Sequence, residues 1–100
     1  MICKIVSIKD AHIFVNLAVN IYNIENIIGK NVVFDNKYIG EIINLSNSTA
    51  EITLIGEINN GYFIPGNLSM PAFNSVCRLV TDEEVKIIYG VDSSKGYINL

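Results

Sequence analysis

The chain is poor in the residues that do chemistry. Its 100 residues include one histidine, two cysteines, no tryptophan and only 17% charged side chains. A nucleophilic site needs a Ser, Cys or Thr beside a base, and the one base that titrates near neutrality, His12, has no partner placed by spacing. His12 alternates with Ile13 and Val15 and is expected to point outward from a strand, so no catalytic or metal role falls to it. Cys3 and Cys77 form no CxxC pair, which removes the metal and thioredoxin-like readings. They read as two small buried hydrophobes of a reducing compartment, with a disulfide between them as the alternative. Neither GxxxxGK[ST] nor GxGxxG occurs, so no phosphate loop or dinucleotide site is expected and the chain should not hydrolyse ATP. No catalytic, cofactor-binding or metal residue is assigned.

Charge of one sign is also thin. The net charge is −3, and Lys4, Lys9, Lys30, Lys37, Arg78, Lys86 and Lys95 are dispersed, each with acidic residues nearby. Phosphate binding is driven by clustered cations that displace counterions, so a dedicated nucleic-acid grip is not expected. No apolar run approaches the ~20 residues of a membrane span, and the opening MICKIVSIKD carries lysine where a secretory signal would be apolar. These features predict a cytoplasmic protein with no membrane partner.

What the chain does have is apolar mass. Half of it is hydrophobic, and Ile and Asn together supply about a third. The isoleucines favour strands and the asparagines favour turns. A chain of this size buries roughly 65% of the surface its unfolded form exposes, enough for one domain without metal or disulfide. No repeat or low-complexity tract divides it.

Residues 2 to 9 and 11 to 17 read as a hairpin turning at Lys9-Asp10, with Ala11, Ile13, Val15 and Leu17 on one face of the second strand. The stretch from Asn20 to Asn26 reads as a loop. A strand over 31 to 35 turns at Asp35-Asn36-Lys37 into a strand from Tyr38 to Leu45, where Gly40 marks a bulge or bend. After Ser46-Asn47-Ser48, Ala50, Ile52, Leu54 and Gly56 alternate with Glu51, Thr53, Ile55 and Glu57. That pattern makes the two glutamates solvated face residues. Asn59 to Ser75 reads as a loop, followed by a strand over 76 to 80. Thr81-Asp82-Glu83-Glu84 is a capping box, Val85, Ile88 and Tyr89 share a helix face, and Gly90 is the C-terminal cap. Capping accounts for the adjacent carboxylates without a metal.

The fold class expected is all-β with one short helix: a small antiparallel barrel of six to seven strands over 1–80, then a helix over 81–90. KIVSIKDAHIFVNL, IIGKNVVF, YIGEIINLS, TAEITLIGEI, GYFIPGNLSMPAFNSVCRLVTDEEVKIIYG and GYINL, in that order, resemble a HAS-barrel, the N-terminal barrel of HerA-type hexameric DNA-translocating ATPases. The most telling parts are Ile39-Gly40-Glu41-Ile42, the Gly-then-MP loop leading into Ser75-Val76, and the TDEEVKIIYG helix. The resemblance implies an assembly and partner-docking role within a homo-hexamer, with a nuclease or sirtuin-type effector as partner, in DNA-end processing or anti-phage defence. It implies that residues 91–100 begin a link toward a motor domain, which would supply ATP and Mg binding and the contact with DNA. A free-standing OB or SH3-like barrel that binds single-stranded nucleic acid is the alternative, and it would need aromatics on a basic groove.

The loop from Gly61 to Ser75 is the expected contact surface. It places Tyr62, Phe63, Ile64, Leu68, Met70 and Phe73 in a segment that Pro65, Gly66 and Pro71 keep irregular. The candidate interface residues are Tyr62, Phe63, Met70, Pro71 and Phe73. Of these, Tyr62, Met70 and Pro71 are expected to be exposed, and Phe63 and Phe73 are expected to plug the barrel end.

Overall fold

The computed structural model describes residues 3–10, 12–18, 26–66, 69–92 and 97–98. Ile2, Ala11, Leu68 and most of the Asn-rich stretch lie outside the described residues. The elements are β1 (Cys3–Lys9), β2 (His12–Leu17), β3 (Asn31–Phe34), β4 (Tyr38–Ser46), β5 (Thr49–Asn59), β6 (Tyr62–Pro65), β7 (Cys77–Leu79), α1 (Asp82–Tyr89), and the two-residue strands β8 (Val91–Asp92) and β9 (Tyr97–Ile98), which pair with each other.

Short turns set the connectivity. Asp10, and then Asp35 with Asn36, adopt positive φ, the left-handed conformation that Asp and Asn tolerate and that tight hairpins require. The main sheet runs β2-β1-β7-β3-β4-β5-β6, and a further β2–β5 pairing brings the first strand round to the sixth. All pairings are antiparallel. The result is a tightly curled sheet with one helix after it, the all-β architecture expected from the sequence.

Alternation along the strands sorts the core. Ile13, Val15 and Leu17 of β2 point inward, as do Ala50, Ile52 and Leu54 of β5, and they meet Ile5, Val32, Phe34, Ile42 and Cys77. Each fully buried Ile or Phe contributes about 1.5–3 kcal/mol of transfer free energy. All four residues of β3 are buried because both faces are covered. Val32 and Phe34 face the interior, whereas Val33 joins Ile39 and Ile88 of α1 in a second cluster with Ile55, Ile58, Phe63 and Val80. The helix therefore packs on the outside of the curled sheet, and Ile88 is its buried residue.

The strict alternation expected along β5 stops at Leu54. Ile39 pairs with Gly56 and Gly40 with Leu54, so Ile55 is an extra residue and the strand changes face there. Gly56 and Ile58 then lie on the same face as Ile39, while Glu57 lies beside Tyr38. This bulge corrects the solvated assignment of Glu57, whose side chain is only 13% exposed and reaches Lys37 Nζ at 3.7 Å. Glu51 is likewise half-buried, because its carboxylate accepts from Nδ1 of His12 across the β2–β5 pairing.

Two further expectations are corrected. Tyr62–Pro65 is a strand, not loop, paired with β5 through an Asn60-Gly61 turn with both φ values positive. Pro65 does not prevent it, because it ends an edge strand where an N–H is dispensable. The cysteines also differ from the favoured reading. Cys77 is buried and disulfide-bonded, and the only other cysteine in the sequence, Cys3, is its direct backbone partner between β1 and β7. Curling the sheet brings the two strands together although 73 residues separate them in sequence.

Gly40 is required where β4 bends. A Cβ there would collide with the Ile52 side chain and come within 3.3 Å of the Thr53 carbonyl oxygen. Gly40→Ala should therefore destabilise the fold by about 1–3 kcal/mol, read as a lower urea midpoint. An unchanged midpoint would show that the bend is not tightly packed.

Candidate docking surface

The hairpin β5–β6 and the segment after it present the apolar side chains singled out in the sequence. β6 is the end strand of the sheet order, and its side chains alternate. Phe63, opposite Ile58, turns inward to the cluster under α1, whereas Tyr62 is 74% exposed and Ile64 41% exposed. Phe63 is thus a packing residue, but it packs on the outer face under α1 rather than plugging the barrel end, which corrects that expectation. Its ring lies against Gly56, where any side chain would strike it.

The segment 69–76 is irregular but tied at both ends. At one end the Ser69 hydroxyl lies 3.3 Å from both the Tyr38 hydroxyl and Glu57 Oε2. At the other, Asp35 accepts from the Ser75 hydroxyl at 2.8 Å and from the Val76 amide at 3.0 Å, and its own amide donates to the Val76 carbonyl at 2.8 Å. Between these ties Phe73 is 58% exposed, which corrects its expected role as a plug, and Met70 is 37% exposed. Pro71 is buried, against the expectation of exposure. A ring without a backbone N–H loses no hydrogen bond on burial, so it fills space beneath the segment at little polar cost. The structure therefore displays Tyr62, Met70 and Phe73 and withdraws Phe63 and Pro71. Ile64 and Val76, 56% exposed, were not among the candidates; the Asn60-Gly61 turn signal would have put Ile64 and Tyr62 together on one face of a strand.

Arg78 holds this region to the helix. Its guanidinium donates to Glu84 through Nη1 at 2.7 Å and Nη2 at 2.9 Å, to Asn36 Oδ1 through Nε at 3.2 Å and Nη2 at 2.9 Å, and to the Leu79 carbonyl at 3.2 Å. Glu84 in turn accepts from the Thr81 amide at 2.9 Å, and the Thr81 hydroxyl accepts from the Glu84 amide at 3.2 Å. The expected capping box is present, and Gly90 closes the helix in the left-handed conformation. The hydrogen bonds from Arg78 hold the Glu84 carboxyl below its ordinary range, and Glu84 raises the Arg78 pKa.

Two hollows flank the sheet. One, of about 400 Å³, lies between α1 and the approach to β3 and is lined by Gly29, Asn31, Val85 and Tyr89 among others. There the Tyr89 hydroxyl donates to Asn31 Oδ1 at 2.7 Å, while Asn31 Nδ2 donates to the Gly40 carbonyl. The other, of about 320 Å³, lies beside the His12–Glu51 pair, with Phe14, Asn44 and Thr49 in its wall. Among the described residues no buried side-chain N or O lacks a partner, and no three of His, Cys, Asp and Glu converge as metal ligands would. Lys37 sits 5.2 Å from the Tyr38 ring centroid besides pairing with Glu57, so it is already engaged. No protein-family model matches the chain, and no curated protein matches it. Among the described residues no helix is long and apolar enough to cross a membrane.

A carboxyl whose folded pKa is lowered stabilises the fold above its unfolded value, and that contribution is lost as pH falls through the folded value. For Glu84 the loss should therefore fall below the unperturbed glutamate pKa of ~4.3. Glu84→Gln should be less stable than the parent at pH 7 by about 1–3 kcal/mol, and the difference should shrink at pH 3. Thr81→Ala should cost about 1 kcal/mol at neutral pH. Urea titrations at both pH values check this; a Glu84→Gln deficit that is the same at pH 3 would rule out the Arg78 bond as its source.

Proposed function

We propose that the chain is a non-catalytic assembly and docking barrel of the HAS-barrel kind, working within a hexameric HerA-type DNA-translocating ATPase and engaging a nuclease or sirtuin-type effector. On this reading ATP, Mg and DNA are handled by a motor domain, and the barrel contributes contact surface. The observation that supports it best is the display of Tyr62, Met70 and Phe73 on a hairpin and a segment anchored at both ends. Large apolar groups held in solvent by fixed hydrogen bonds incur little ordering entropy on binding, as interface anchors should. The capped helix packed on the outside of the barrel agrees with the order of elements that carried the resemblance.

Single-stranded nucleic-acid binding is the competing reading. It has exposed aromatics in its favour but requires a basic groove beside them. Lys37 is paired with Glu57, the same carboxylate that the Ser69 hydroxyl reaches, and the net charge of −3 opposes phosphate.

The deciding experiment uses the intact ATPase to which this reading assigns the chain. Tyr62→Asp and Phe73→Asp should each lower ring assembly or partner co-purification at least ~10-fold, the loss of about 1.4 kcal/mol per contact expected of an interface anchor. The melting temperature of the isolated chain should not move. Normal assembly and partner retention by both variants would overturn the proposal. Fluorescence anisotropy of a labelled single-stranded DNA oligomer with the isolated chain supplies the contrast: tight binding with a steep salt dependence would favour the nucleic-acid barrel.

A further inference from the structure

We propose that the disulfide at Cys77 is a redox-sensitive clasp that sets whether the curled sheet is closed between β1 and β7. The proposal is independent of the docking role. Cys77 is the first residue of β7, a strand of only three residues, and the backbone of Cys3, the first residue of β1, lies directly opposite it. Among the described residues this is the one registered pair across the seam. The flanking strands are anchored elsewhere. β1 pairs with β2 over most of its length, and β7 pairs with β3 from Val32 to Phe34 while Arg78 fastens it to Asn36 and Glu84. The seam can therefore part while each side keeps its own neighbours.

What parting would expose is core. Cys77 is fully buried, is the register partner of Phe34, and belongs to the cluster that holds Ile5 and Val32. Linking positions 3 and 77 closes a loop of about three-quarters of the chain. A cross-link over that length restricts the unfolded state enough to raise the melting temperature by roughly 10–20 °C in a domain of this size.

The chemistry is thiol–disulfide exchange with a dithiol reductant. One thiolate of the reductant attacks a sulfur of the protein disulfide, the S–S bond breaks, and a mixed disulfide forms with release of a protein thiolate. The second reductant thiolate then displaces the remaining cysteine. The protein gains two electrons and, after protonation, two thiols, and the reductant leaves as its own disulfide. Because Cys77 is buried, attack at its sulfur requires the seam to open first. Reduction by that route should be slow under native conditions and should accelerate in mild denaturant.

The test compares the air-oxidised chain with the same chain after dithiothreitol. The oxidised protein, denatured in alkylating reagent, should acquire no label by intact mass and should run as a monomer on a non-reducing gel; the reduced protein should acquire two labels. Hydrogen exchange should then show loss of protection in β1 and β7 on reduction, with β3, β4 and β5 still protected, and the melting temperature should fall. Cys3→Ala should match the reduced parent and ignore dithiothreitol. Free thiols in the oxidised chain, disulfide-linked dimers, unchanged protection at β1 and β7, or an equal loss over every strand would each overturn the clasp. If Cys3→Ala does not fold, the reduced parent alone decides, since its exchange pattern is read on the unmodified sequence.

Discussion

The curled sheet closes because one strand is long enough to serve three neighbours. β5 pairs with β4 along one edge, and its other edge is divided between β2, opposite residues 49–53, and β6, opposite residues 56–59. The extra residue at Ile55 falls between those two halves. Before it, the small and branched residues of β5 fill the interior; after it, Gly56 and Ile58 turn to the outer face under α1. A single inserted residue thus lets one strand contribute to two cores. A second irregularity, between Ile42 and Asn44, is matched on β1 by one between Ile5 and Ser7, and such bulges increase the local twist that a small closed sheet needs.

The turn between β3 and β4 organises everything after β6. Asp35 and Asn36 adopt the left-handed conformation that a tight hairpin needs, and their side chains are then free to act on distant chain. Asp35 fixes the segment entering β7, and Asn36 receives Arg78. Arg78 passes that constraint to Glu84, which is already committed to the helix cap. The display of Phe73 and the placement of α1 share this origin. Two residues of turn chemistry and the chain's single arginine do what a larger domain would assign to more core.

Much of this was legible in the sequence because it was local. The alternation of β2, the Asp35-Asn36 turn, the Gly40 bend and the Thr81–Glu84 capping box each depend on residues a few positions apart, and each formed as expected. The β6 strand was equally local in its Asn60-Gly61 signal, but two prolines and a run of apolar side chains suggested irregular chain instead. What local pattern could not supply was adjacency. Cys3 beside Cys77, His12 beside Glu51 and Arg78 beside Asn36 exist only once the sheet has curled, and nothing in their spacing marks them. The same holds for exposure in the 69–76 segment, where Pro71 and Phe73 exchanged the positions expected of them because hydrogen bonds at the two ends, rather than hydropathy, decide which side chain faces out.

A strand-rich chain that is half hydrophobic would ordinarily be at hazard of stacking edge to edge into fibres. Two open stretches of strand edge limit that hazard in different ways. Beyond Cys3, β1 carries the exposed Lys4 and Lys9 and an extra residue at Val6 that breaks its regular edge, and β6 is four residues long and finishes on Pro65. An incoming strand would meet charge and a broken ladder on one side and a missing donor on the other. The molecule can therefore hold apolar side chains in solvent without also offering a long backbone template, which keeps association a matter of side-chain fit rather than of open-ended growth.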